Sequence, residues 1–154
     1  MTYTLTPYVL ITALTAGVAA FVAALAWQRR TVPGGNPLAA LMLAVSIWAA
    51  AAALEYAATT TPGKVFWATI SYAGVLTCPV FYLLFALEYS HQDRRLTRRN
   101  SAPLFVIPFL TMLLAATNSW HGLIWPAVTM AEPRAANLAH YAHGPAFWLG
   151  AVGY

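Results

Sequence analysis

Residues 64–89, KVFWATISYAGVLTCPVFYLLFALEY, carry one lysine at the start and one glutamate near the end, and no other charge between them. As one helix at ~1.5 Å per residue this run is about 39 Å long. That length crosses a hydrocarbon core of ~30 Å with aromatic residues left over at both ends. A charge cluster, SHQDRRLTRR at residues 90–99, follows at once. Pro79 has no N–H to offer, so the carbonyl of Val75 loses its helical partner. In lipid that carbonyl must be met by a neighbouring helix, a water, or a hydroxyl such as that of Thr77. A bend between Val75 and Pro79 is therefore expected. Gly74, one turn outward of Cys78, bares the backbone and lets a second helix come close.

Composition agrees with a membrane setting. Of 154 residues, 60% are hydrophobic and 8% charged, against about 25% charged in a soluble domain; the mean hydropathy is +0.63. The net charge of +4 does not point to nucleic acid, because the basic residues sit beside apolar runs and form no basic stripe with interleaved aromatics. The single cysteine, Cys78, excludes an intrachain disulfide and a thiolate metal site.

The fold class expected is all-α, a polytopic transmembrane bundle with four complete helices and the start of a fifth. The helices are placed at about 8–27, 37–58, 64–89, 101–117 and 144–154, the last incomplete, with an outer loop over 118–143. The first run is closed by Gln28, Arg29 and Arg30 and has no basic region before it, so it reads as a retained helix rather than a cleaved signal. Pro37 suits the first turn of the second helix, and Ser101 with Pro103 reads as the start of the fourth. A connection as long as 118–143 is usually functional or poorly ordered. Arg29, Arg30, Arg94, Arg95, Arg98 and Arg99 flank the first and third connections, whereas Lys64 and Arg134 lie in the second and fourth. This positive-inside bias puts the N-terminus outside the cell membrane.

The residues resemble a known family, the N-terminal seven-helix membrane region of bacterial and archaeal sensor histidine kinases and related signalling proteins. The matching pieces are Trp48 with Ala53-Leu54-Glu55, Lys64-Val65-Phe66-Trp67, Tyr72-Ala73-Gly74 with Pro79, and residues 85–89, FALEY. Ile107-Pro108, residues 117–121 (TNSWH) with Trp125, and residues 143–148 (HGPAFW) continue the series in order. The resemblance implies a sensory input module that passes an outer-face or intramembrane signal to a cytoplasmic output domain, and a homodimer if the chain is part of a kinase. The chain departs from the pattern by stopping within the expected fifth helix.

Glu55 and Trp48 lie seven apart and share a helix face with Ala51 and Ala52. Counted from Pro37, Glu55 is about 27 Å along its helix, near the outer boundary. There it is either an interfacial acid beside Lys64 or a pocket carboxylate. Trp67, Tyr72, Trp120, His121 and Trp125 fall at the same level, as an aromatic belt would. Asn118 and His121 add polar groups just beyond a short helix. Together Trp48, Glu55, Trp67, Tyr72, Asn118, His121 and Trp125 form the expected ligand-binding set, for an unknown small-molecule or membrane signal. Gly74, Pro79 and Glu88 form the expected bend and relay.

Other chemistry is poorly supplied. His91 precedes Asp93 and Arg94 as in a phosphoacceptor box, but no nucleotide-binding stretch accompanies it, and an ordinary solvated cap with Glu88 and Asp93 is expected. His121, His140 and His143 lack the carboxylate or thiolate framework of a zinc site, so no metal or cofactor is expected. Four acidic residues in all assemble no catalytic pair or triad, and the chain is expected not to be an enzyme. A competing reading is a piece of a small-solute transporter or channel. It lacks charged residues at mid-span and an inverted repeat. A non-catalytic membrane assembly subunit is the third reading.

Overall fold

The computed structural model describes residues 2–91, 101–131 and 137–152. Asp93, Arg94, Arg95, Arg98, Arg99 and Arg134, on which much of the expected orientation and the solvated cap rest, lie outside the described residues. The chain is mostly helical. Among the described residues, Pro7–Gln28, Gly35–Ala57 and Thr61–Tyr89 are long and apolar enough to cross a membrane, and Ala102–Ala116 is a shorter apolar helix.

Helix α1 (Pro7–Gln28) and helix α2 (Gly35–Ala57) make the most extensive helix pair in the molecule. On α1 the buried residues are Ala16, Ala19, Ala23 and Ala26, spaced three or four apart and so on one face. Large side chains such as Leu10, Leu14, Phe21 and Leu25 are exposed. This is the pattern of a lipid-immersed bundle, where small residues let backbones approach and bulky ones face the acyl chains. The Ser46 hydroxyl seals the contact by donating to the Ala16 carbonyl at 3.0 Å.

The single helix expected over residues 64–89 is two. Helix α3 (Thr61–Val75) begins three residues earlier, because Thr60 caps it by accepting from Gly63 N at 3.3 Å with Pro62 in the first turn. Helix α4 (Cys78–Tyr89) restarts with Pro79 in its own first turn, which is where a residue without an N–H is tolerated. The Thr77 hydroxyl does not meet the Val75 carbonyl; it donates to Ala73 at 2.9 Å and Gly74 at 3.0 Å. Proline thus produces a helix end and restart in place of a bend within one helix.

Gly74 is the close approach of α2 and α3. A Cβ there would lie 2.7 Å from Trp48 N and Trp48 Cβ and would collide with the Ala44 carbonyl oxygen. At the far end, Gly34 has φ +81° and caps α2, with the Phe85 ring 3.1 Å from where its Cβ would be. Its N–H donates to Glu88 Oε2 at 3.2 Å.

After a 3₁₀ turn (Ala102–Phe105) come helix α5 (Val106–Ala116) and the one-turn helix α6 (Asn118–His121). Together the 3₁₀ turn and α5 rise about 22 to 25 Å, short of the ~30 Å core. The stretch expected as an outer loop is built: strands β1 (Val128–Met130) and β2 (Ala139–Tyr141) pair antiparallel, Val128 opposite Tyr141. Helix α7 (Pro145–Val152) follows. Ile124 and Trp125 are 0% and 5% exposed and pack with Ala68, Ala115 and Ala146. The core of this half of the protein is therefore a loop folded down onto α3 and α5.

Candidate functional site

The seating of that loop begins with Asn118. Its Oδ1 accepts from Ile124 N at 2.9 Å and Trp125 N at 3.0 Å, and its Nδ2 donates to the Trp125 carbonyl at 2.9 Å. One side-chain amide therefore supplies the partners that an irregular turn cannot give itself. His121 works beside it, with Nδ1 accepting from Leu123 N at 3.0 Å and Nε2 against the Thr117 hydroxyl at 3.1 Å. Trp125 is thereby held against the helices, its ring edge-on to Tyr72 at 5.1 Å and tilted to Tyr141 at 5.4 Å.

These rings wall a cavity of about 560 Å³ between α2, α3, α5, β2 and α7, a volume within the usual range for small-ligand sites. Trp48 and Glu55 line it from α2, Tyr72 and Ser71 from α3, Pro79 from the start of α4, and Trp125 and Tyr141 from the folded loop. His143 and Phe147 close another side, their rings 3.9 Å apart. Thr111 of α5 and Gly150 of α7 complete the wall. Among the described residues, Glu55 is the one lining group of the Asp, Glu, Lys and Arg class.

Glu55 Oε1 accepts a hydrogen bond from the Tyr141 hydroxyl at 2.7 Å. Burial, and then the hydrogen bond and charge of Glu55, push the Tyr141 hydroxyl well above the ordinary tyrosine range. Tyr141 therefore stays protonated and remains a donor at any physiological pH.

Lys64 is 0% exposed. Its ammonium does not pair with the Glu55 carboxylate. It donates to the Glu55 main-chain carbonyl at 3.0 Å and to the Asn137 carbonyl at 2.6 Å. The Asn137 amide in turn donates to the carbonyls of Tyr56 at 2.6 Å and Ala58 at 3.1 Å. The last carbonyls of α2 thus receive a cation and an amide, as the negative end of a helix dipole favours.

Of the ligand set expected from sequence, Trp48, Glu55, Tyr72 and Trp125 are brought together on the cavity. Trp67 stands apart from it, with Nε1 donating to the Tyr3 hydroxyl at 3.3 Å. Asn118 and His121 also stand outside the lining; their polar atoms are used within the loop that positions Trp125. Pro79 of the expected relay reaches the cavity wall, whereas Gly74 and Glu88 do not. Tyr141, His143 and Phe147 were not singled out by sequence reasoning as ligand contacts. The available signal was an aromatic and histidine cluster, HYAHGPAFW at 140–148, within a stretch read as loop. Among the described residues, no three His, Cys, Asp or Glu side chains group as metal ligands.

Comparison with known proteins gives one family, described as the N-terminal 7TM region of histidine kinase, which matches residues 11–154. No curated protein and no solved structure matches the chain.

Proposed function

Since the chain belongs to the histidine kinase N-terminal 7TM family, we propose that it is the sensory input module of a two-component-type receptor. It relays an outer-face or intramembrane signal to a cytoplasmic output domain. The observation that carries this reading is the position of the cavity: it is walled by Glu55 and Tyr141 at one end and by Pro79, at the α3–α4 break, at the other. An occupant there touches both the folded outer loop and the one place where the central span is discontinuous. Trp48, Glu55, Tyr72, Trp125, Tyr141, His143 and Phe147 are the ligand contacts in this reading. Asn118 and His121 hold the loop that delivers Trp125, and Trp67 ties down the N-terminal segment.

The relay runs from Pro79 along α4 to Glu88, whose carboxylate holds Gly34 at the start of α2. A change at the break tilts α4 against α2 while Gly74 keeps α3 fixed to it. The module lies in the cell membrane with its N-terminus outside, as the arginine distribution favours, crosses it with Pro7–Gln28, Gly35–Ala57 and Thr61–Tyr89 while the shorter Ala102–Ala116 and α7 pack beside them, and works as a homodimer if it is part of a kinase.

Replacing Pro79 with Ala in the full-length protein, in membrane vesicles, tests the relay through autophosphorylation with and without stimulus. A several-fold change in the stimulated-to-basal ratio, at unchanged membrane abundance, is expected. An unchanged ratio overturns the relay.

A further inference from the structure

The charge arrangement around the cavity specifies what kind of molecule suits it. Glu55 presents a carboxylate to a space whose walls are aromatic faces, hydroxyls and aliphatic carbon, with no Lys or Arg among the described lining residues. Its Oε1 is engaged by Tyr141, and its Oε2 has no hydrogen-bond partner among the described residues. Lys64 makes no direct ion pair with this carboxylate: its buried ammonium is bound to the main-chain carbonyls of Glu55 and Asn137 and acts on the carboxylate through space. A carboxylate set against apolar walls, with its nearby lysine bound elsewhere, leaves room for a counter-charge in direct contact.

Three aromatic rings, those of Tyr72, Trp125 and Tyr141, line the cavity with this carboxylate. Tyr72 and Trp125 stand at 80° to each other, and Trp125 and Tyr141 at 51°, so they form the angled walls of a box rather than a flat stack. Aromatic faces carry negative potential and attract ammonium groups. An anionic ligand would meet Glu55 with like charge and find no Lys or Arg among the described lining residues. A neutral apolar ligand would use the walls but leave the carboxylate uncompensated.

On the reading of this cavity as the ligand site, we infer that it takes a small organic cation: a protonated or quaternary amine bearing an apolar or aromatic group. The ammonium sits between Glu55 Oε2 and the Tyr72, Trp125 and Tyr141 rings, and the apolar part extends toward Pro79 and Phe147. The volume of about 560 Å³ holds a bare ammonium with much space unfilled, which is why an apolar substituent belongs to the proposal.

Three probes that differ in charge and share a phenyl ring and short chain decide it: 2-phenylethylammonium, 2-phenylethanol and phenylacetate. Binding to the full chain in lipid nanodiscs is read by tryptophan fluorescence and calorimetry. The ammonium is expected to bind at least about tenfold more tightly than the alcohol, and phenylacetate more weakly than either. Glu55→Gln, which keeps an acceptor for Tyr141, is expected to erase the difference between ammonium and alcohol and leave the alcohol unchanged. Tyr141→Phe, which frees the second carboxylate oxygen, is expected to tighten the ammonium several-fold. That rise is a result a merely structural role for the pair would not produce, and it keeps the test open if Glu55→Gln fails to fold.

Equal binding of alcohol and ammonium, both weakened by Tyr72→Ala, would overturn the cation and leave a ligand cavity for neutral molecules. Binding of none of the three would overturn the cation and remove the support for a small-molecule site in this cavity.

Discussion

The two ends of helix α2 are held in opposite ways. At its C-terminal end the main-chain carbonyls of Glu55, Tyr56 and Ala58 receive hydrogen bonds from Lys64 and Asn137, and the Glu55 side chain receives Tyr141. Those bonds come from α3, the folded loop and the hairpin at once. At its N-terminal end the long-range polar tie among the described residues is one bond of 3.2 Å from Gly34 N to Glu88, beside the Phe85 and Tyr89 rings stacked at 5.6 Å. Most of these bonds are part-buried at both ends, but several converge on the first end around the fully buried Lys64 side chain, and a network resists opening more than a single bond does. Among the described residues, the first end is the more firmly tied of the two.

The largest test of this contrast is Lys64→Met. The aliphatic stem is kept, but two buried carbonyls lose their donor at ~1–3 kcal/mol each, so about 3 kcal/mol of stability is expected to go. Unfolding in detergent followed by tryptophan emission measures it. A cost below about 1 kcal/mol would mean the two ends of α2 are held alike.

Gly74→Ala comes next. The added Cβ meets Trp48 and the Ala44 carbonyl, which are backbone and rigid side chain, and overpacking of this kind costs about 2 kcal/mol. Because Gly74 fixes α3 to α2 midway between the two ends, the same substitution is expected to change the distance between spin labels on α2 and α3. An unaltered distance would show that the crossing is not set by this glycine.

Tyr141→Phe removes a hydrogen bond to a carboxylate and is expected to cost about 1.5 kcal/mol at neutral pH. Its alkaline behaviour sharpens the point. The folded Tyr141 hydroxyl holds its proton beyond the ordinary tyrosine value because it is buried and beside Glu55. The unfolded chain releases that proton near pH 10, so above about pH 10 the unfolded state binds fewer protons and stability falls as pH rises. Unfolding titrations from pH 8 to 11 should show the parent protein falling more steeply than Tyr141→Phe. Parallel curves would mean that Tyr141 is not the buried donor of the anchored end.

The smallest effect belongs to the other end. Glu88→Ala removes one partly exposed acceptor, and less than about 1 kcal/mol is expected. The substitution should nevertheless raise hydrogen exchange at Gly34 and the first turn of α2. Should it destabilise as much as Lys64→Met, the contrast between the ends would fail.

Much of this could be read from the residues in order. Pro79 announces an interruption because it lacks an N–H, although a bend rather than a helix end and restart is what it suggests, and Gly74 announces a close crossing because it lacks a Cβ. The alanine stripe Ala16, Ala19, Ala23 and Ala26 has the spacing of one helix face before any partner is known. The Thr61 start was missed by three residues because Thr60 caps α3 through its side chain, a local choice that hydropathy does not report.

What was not legible is the convergence. In sequence, residues 118–143 are a long connection between two apolar runs and read as an outer loop. Among the described residues, the bonds that hold this stretch come from the side chains of Asn118 and His121 and from partners far along the chain: Lys64 meets the carbonyl of Asn137, and Asn137 meets the end of α2. Neither residue type advertises such a partner. For the same reason His121 and Trp67 looked like cavity residues at the right membrane depth, yet depth fixes height and not direction.

The sequence by itself determined the medium, the apolar helical character, an interruption before Pro79 and the family to which the chain belongs, since apolarity, missing donors and ordered motifs are properties of consecutive residues. The tertiary structure alone decided that Lys64 bonds with the Glu55 main chain rather than its carboxylate, that Tyr141 is the carboxylate's donor, and that Trp125, His143 and Phe147 close on Trp48 and Tyr72. Those facts depend on contacts between segments tens of residues apart. Such contacts exist only when the loop has folded down and its buried donors and acceptors have found one another.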